Sequence, residues 1–148
     1  MPNRTRSRVN TSHAKARLLP MAKDKAADLV LHSRLQLERL RSCSIDHRLI
    51  NHMARLCMIC EYIARAGYGE LPQERFDTVE KALAQTLFDF DATGVWSKPE
   101  STFLEDLTDV INEYDRMLST VRLDLFAKAS DYLDRLTVTV ASSGSSEV

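Results

Sequence analysis

Residues 99–136 read PESTFLEDLTDVINEYDRMLSTVRLDLFAKASDYLDRL, and this stretch decides the fold class. Phe103, Leu107, Val110, Tyr114, Met117, Val121, Leu125 and Tyr132 recur at nearly heptad spacing, while Ile111, Leu118, Phe126 and Leu133 widen the stripe. Neither Gly nor Pro occurs between Glu100 and Ser143, so nothing in the sequence forces a strand-and-turn alternation there. A continuous helix over these residues would be about 57 Å long, against roughly 30 Å for twenty-residue helices elsewhere in the chain. Two solutions exist: the chain bends near Ser119 and Thr120 and folds back, or another subunit covers the overhanging apolar stripe. The reading favours the second, with a homodimer as its simplest form.

Upstream the same period returns three times. Leu29, Val30, Leu35, Leu37 and Leu40 predict a first helix over about 22–41. Ser44 is placed to cap a second, with Asp46 near its positive end, running to about Ala66. Its apolar residues, from Ile45 through Met53 and Cys57 to Ile63, cover more than half the circumference, as a central helix requires. Gly67 and Gly69 end it, and Pro72 opens a third carrying Phe76, Val79, Leu83, Leu87 and Phe90, which stops at Thr93 and Gly94. Trp96 is expected to plug the underside of the following helix.

The expected fold is therefore all-α: a bundle of four to five helices over residues 22–136, a long C-terminal helix, and a disordered basic arm at 1–21. A tail over 137–148, β-branched and then Ser-rich, is expected to fray after Leu136. With 148 residues one domain suffices, and an apolar share of 44% is too high for a disordered chain. The net charge of -1 hides an asymmetry: residues 1–23 hold six bases and no acid, leaving 14 of the 20 bases to face all 21 acids in the remainder. An odd count of 3 cysteines and the lack of a secretory apolar core favour a reducing, cytoplasmic setting. No run approaches the roughly 18 apolar residues of a membrane span, so no membrane partner is expected.

Three groups of residues invite a functional reading. His47, His52, Cys57 and Cys60 are of zinc-ligating type, but on one helix His47 and His52 diverge by about 140° and His47 lies roughly 15 Å from Cys57 along the axis. The cysteines read as core, and neither metal nor cofactor is expected. Glu105, Asp106, Asp109 and Glu113 form an acidic run suited to a solvated face or to docking a basic partner. Arg4, Arg6, Arg8, Lys15 and Arg17, spaced along the arm, could neutralise phosphates and so bind nucleic acid in a salt-sensitive way. No nucleophile elbow or phosphate-cradling loop is present, and an enzyme is not expected.

The order of Leu37-Glu38-Arg39-Leu40, Ala66-Gly67-Tyr68-Gly69, Thr93-Gly94-Val95-Trp96 and Asp115-Arg116-Met117-Leu118, followed by Phe126, Ala127 and Arg135, resembles a family of uncharacterised proteobacterial proteins of mobile elements, some labelled Fis-like regulators. The resemblance implies a helical fold and a phage, plasmid or island setting. A Fis-type reader needs a basic recognition helix near its C-terminus, whereas residues 98–136 hold more acids than bases. The function expected is a non-enzymatic interaction protein, an accessory or regulatory factor touching nucleic acid through its arm. The alternatives are a protein-binding module or inhibitor using the acidic run, and a small subunit of a ribonucleoprotein.

Overall fold

The computed structural model describes residues 15–145, with side chains as far as Leu136. The elements are α1 (Lys23–Arg41), α2 (His47–Ile63), a π-helical turn (Ala64–Tyr68), α3 (Gln73–Thr93), α4 (Ser101–Thr120) and α5 (Leu123–Ser145). Among the described residues there is no strand, and no helix is long and apolar enough to cross a membrane. The all-α bundle with a long last helix is thus the architecture of the chain.

The stretch that decided the class is two helices rather than one. At Val121 the backbone is extended (φ -97°, ψ 142°), and its side chain is 2% exposed, hooked into the core. Ser119 Oγ and Thr120 Oγ1 both donate to the Arg116 carbonyl, at 2.9 and 2.8 Å, so the last turn of α4 is bonded by side chains instead of continuing. Arg122 pairs with Asp124 at 2.5 Å across the new helix start, and the Leu123 amide donates to Leu19 O at 2.9 Å. The 20 residues of α4 match the 19 of α1, and α5 returns along α2. The overhang that called for a second subunit does not exist.

Helix α2 is the central element, packed against α1, α3, α4 and α5. Leu49, Ile50, Met53, Cys57, Cys60 and Ile63 are all at most 1% exposed. Its cap is Asp46, not Ser44: Asp46 Oδ1 accepts from the Leu49 amide at 2.7 Å. That amide, followed by Arg39, holds the Asp46 carboxyl below its usual range. Of the expected stripe on α1, Val30, Leu37 and Leu40 are buried, whereas Leu29 and Leu35 are 39% and 54% exposed. Ala26 and Ser33 complete the inward face, where small side chains permit a close approach of the neighbouring helix.

Other boundaries shift for local reasons. Trp96 stacks on Phe90 at 4.0 Å and meets the His47 ring edge-on at 5.1 Å, closing the corner between α3 and α2. The arm, expected to be disordered through residue 21, is helical over residues 15–17, and α5 runs on to Ser145, past the expected fraying point at Leu136.

The turn after α2 depends on two glycines. Gly67 has φ +101°, and a Cβ on Gly69 would lie 2.5 Å from Ala64 Cβ and 2.9 Å from Ala64 Cα. Backbone cannot yield as a flexible side chain can, so Gly69→Ala is expected to lower stability by about 1–3 kcal/mol, and Gly67→Ala by about 1–2 kcal/mol. Urea midpoints with an unchanged slope would measure both; wild-type midpoints would show that the turn is not held as described.

Candidate functional site

Because α3 and α5 each pack on α2 and hardly on one another, an open groove of about 930 Å³ is left over α2. Direction follows from the pairs that join the helices. Cys57 meets Phe76 and His47 meets Phe90, while Arg55 meets Asp134 and Tyr68 approaches Arg122, so both flanking helices run antiparallel to α2. Ala54, Met58 and Tyr62 form the floor; Leu83, Ala84 and Leu87 form the α3 wall; Leu125, Tyr132 and Leu136 form the α5 wall. Met58, Tyr132 and Leu136 remain 37%, 45% and 37% exposed. Volume and apolar lining are those of a binding cleft rather than a packing defect.

Charge enters this groove at one end. Glu61, Asp77 and Glu80 bring carboxylate oxygens within 4.8 Å of one another. Gln73 Nε2 donates to Glu61 Oε1 at 3.0 Å and to Asp77 Oδ1 at 3.1 Å, and Arg65 forms an ion pair with Glu61. Burial, then a hydrogen bond shared with Glu61 and the charges of Glu61 and Asp77, push the Glu80 carboxyl up to about 8, with Arg65 opposing. Near neutrality Glu80 is therefore mostly protonated. The trio has the spacing of a cation site, but Gln73 and Arg65 already occupy oxygens of Glu61 and Asp77; Glu61 and Glu80 both line the groove.

The residues singled out in the sequence fall elsewhere. Arg4, Arg6 and Arg8 lie outside the described residues, and Lys15 and Arg17 are exposed. The acidic run on α4 is not one solvated face. Glu113 is 5% exposed and accepts from the amides of Glu70 and Leu71, both at 2.7 Å. Asp106 and Asp109 both accept from Arg75 Nη1, at 3.2 and 2.5 Å, tying α4 to α3. Of the four, Glu105 is the exposed one.

His47, His52, Cys57 and Cys60 occupy three separate surroundings. His47 lies in the corner with Phe90 and Trp96; His52 meets His32 edge-on at 4.8 Å and approaches Ser33 Oγ at 3.3 Å. Burial, and after it the charge of His32, lowers the His52 value. Burial pushes both the Cys57 and the Cys60 thiol up, which favours the protonated, packed form of each.

Sequence reasoning missed the groove and the Glu61–Glu80 pair. The available signal was the breadth of the apolar surface on α2: Met58 and Tyr62 extend it beyond what its four neighbouring helices cover. No family model, curated protein or solved structure matches the chain.

Proposed function

We propose that this chain is a non-enzymatic helical interaction module that takes a partner's amphipathic helix into the groove over α2. The open apolar floor and walls, about 930 Å³ between two helices that flank a third, carry this reading. A groove of this form is completed by one more helix, which buries its apolar face against Met58, Leu87 and Tyr132 while keeping its polar face in water.

Photo-crosslinkers placed singly at Met58, Leu87 and Tyr132 should capture one and the same protein, and Met58→Glu should abolish capture with helical content unchanged. Different species from each position, or capture that ignores Met58→Glu, would remove the groove from the function.

A second reading, that the module is an accessory factor contacting nucleic acid through Arg4, Arg6, Arg8, Lys15 and Arg17, is favoured by the exposure of Lys15 and Arg17. Removing residues 1–17, which spares Leu19 and Met21, should then abolish a mobility shift with mixed DNA and RNA at low salt while leaving groove crosslinking intact. No shift by the full chain at low salt would sink it.

A further inference from the structure

We propose that the partner helix carries a Lys or Arg beside its apolar seam, set against Glu80 on the α3 wall of the groove. This rests on the groove reading above and adds the chemistry of the partner.

Shape comes first. Helices pack with axes about 8–10 Å apart, so a helix laid over α2 between α3 and α5 touches both walls at once, as a helix in a bundle does. In such arrangements the apolar seam supplies affinity, and the charges flanking it choose the partner.

The groove is not electrically symmetric. At its acidic end Glu61, Asp77 and Glu80 are opposed by Arg65 alone, which is committed to Glu61. On the α5 wall Lys128 is exposed, and its flexible stem lets the ammonium stay in water. Glu80 is the fixed element: half-buried, on a regular helix, and hydrogen-bonded to Glu61. A partner's acidic residue here would add a fourth carboxylate beside Glu80, whose own carboxyl already holds its proton near neutrality. A partner's ammonium or guanidinium would displace that proton and leave Glu80 ionised and paired.

Proton release gives a signature that packing alone lacks. The groups facing Glu80 are Glu61 and Arg65 beneath it, Asp77 on its own helix and Lys128 across the groove. With its carboxyl near 8 in the free protein, Glu80 is mostly protonated at pH 7, so cation binding should tighten about tenfold between pH 7 and 9.

The test uses the full chain and a synthetic amphipathic peptide of about 18 residues with a leucine seam, labelled for fluorescence anisotropy. Two versions differ only in the residues flanking the seam, which are all Lys or all Glu. The Lys version should bind at least about tenfold tighter at pH 7, and should keep that preference in Lys128→Met. Glu80→Gln should bring the ratio close to one, and Glu80→Lys should reverse it. Equal binding of both versions, sensitive to Met58→Glu, overturns the charge inference and leaves the groove reading standing. Binding by neither overturns both. Self-association dispersed by Met58→Glu would put a second copy in the groove and overturn the proposed partner.

Discussion

Phe76→Ala is expected to lower stability by about 3–5 kcal/mol, the largest loss from any single truncation in this chain. Phe76 is the largest fully buried side chain, 0% exposed, and its carbonyl lies 3.8 Å from Cys57 Sγ at the crossing of α2 and α3. Removing the ring takes away its transfer energy and leaves a void in a core where Met53, Val79 and Leu107 are likewise fully buried, and a close-packed core closes such a void only in part. A chain of this size commonly has about 5–15 kcal/mol in hand, so the variant should lose a large part of its margin, with a Tm lower by roughly 6–20 °C. Phe88 is the matched control: it lies on the same helix but is 70% exposed, and Phe88→Ala should stay within about 0.5 kcal/mol of wild type. Equal effects of the two truncations would mean that α3 is rotated from the position described.

That contrast also shows which parts of the fold were legible in the sequence. On α3 the steps from Phe76 through Val79 to Leu83 single out one face, and all three residues are buried. On α1 apolar residues stand at 29, 30, 31, 35, 37 and 40, which spreads over most of the helix, and periodicity could not tell which ones face inward. Partner geometry decided it, through Ala26 and Ser33. The break at Val121 was legible only as the less favoured of two alternatives, a bend near Ser119 and Thr120, for a related reason. No Gly or Pro marks it, and the apolar period continues across it, because Val121 is a core residue in an extended conformation. The candidate site was less legible than the fold. A groove is the absence of a neighbour, and a sequence records which surfaces are apolar without recording which of them are covered. Glu61 and Glu80 lie far apart in sequence and become a pair only when α2 and α3 pack antiparallel.

Glu113→Ala is the second large expected effect, about 3 kcal/mol, although sequence reasoning placed this residue on a solvated face. Its Oε2 accepts from the Glu70 and Leu71 amides, both at 2.7 Å, and its Oε1 accepts from Arg116 Nε at 2.5 Å. Arg116 in turn donates to Tyr68 O at 2.7 Å, so one buried carboxylate fixes the chain between the π-helical turn and α3 onto α4. Alanine leaves two amides without their acceptor and a guanidinium without its main partner, which costs more than the net value of the bonds removed. Glu113→Gln keeps the shape and one acceptor oxygen, and should cost roughly half as much. Burial pushes the Glu113 carboxyl up, but Arg116 and the two amides together outweigh it and hold the group below 4.5 in the folded chain. A depressed folded value means that the stabilisation is fully present above the unfolded value near 4.5 and is lost as pH falls through the folded one. The difference in unfolding free energy between wild type and Glu113→Ala should therefore be flat from about pH 8 to 5 and shrink below about pH 4.5. A difference that persisted undiminished at pH 3 would show that the side chain acts by filling space rather than by its charge, and the clasp on α4 would have to be reassigned to Arg116 and Tyr68 alone.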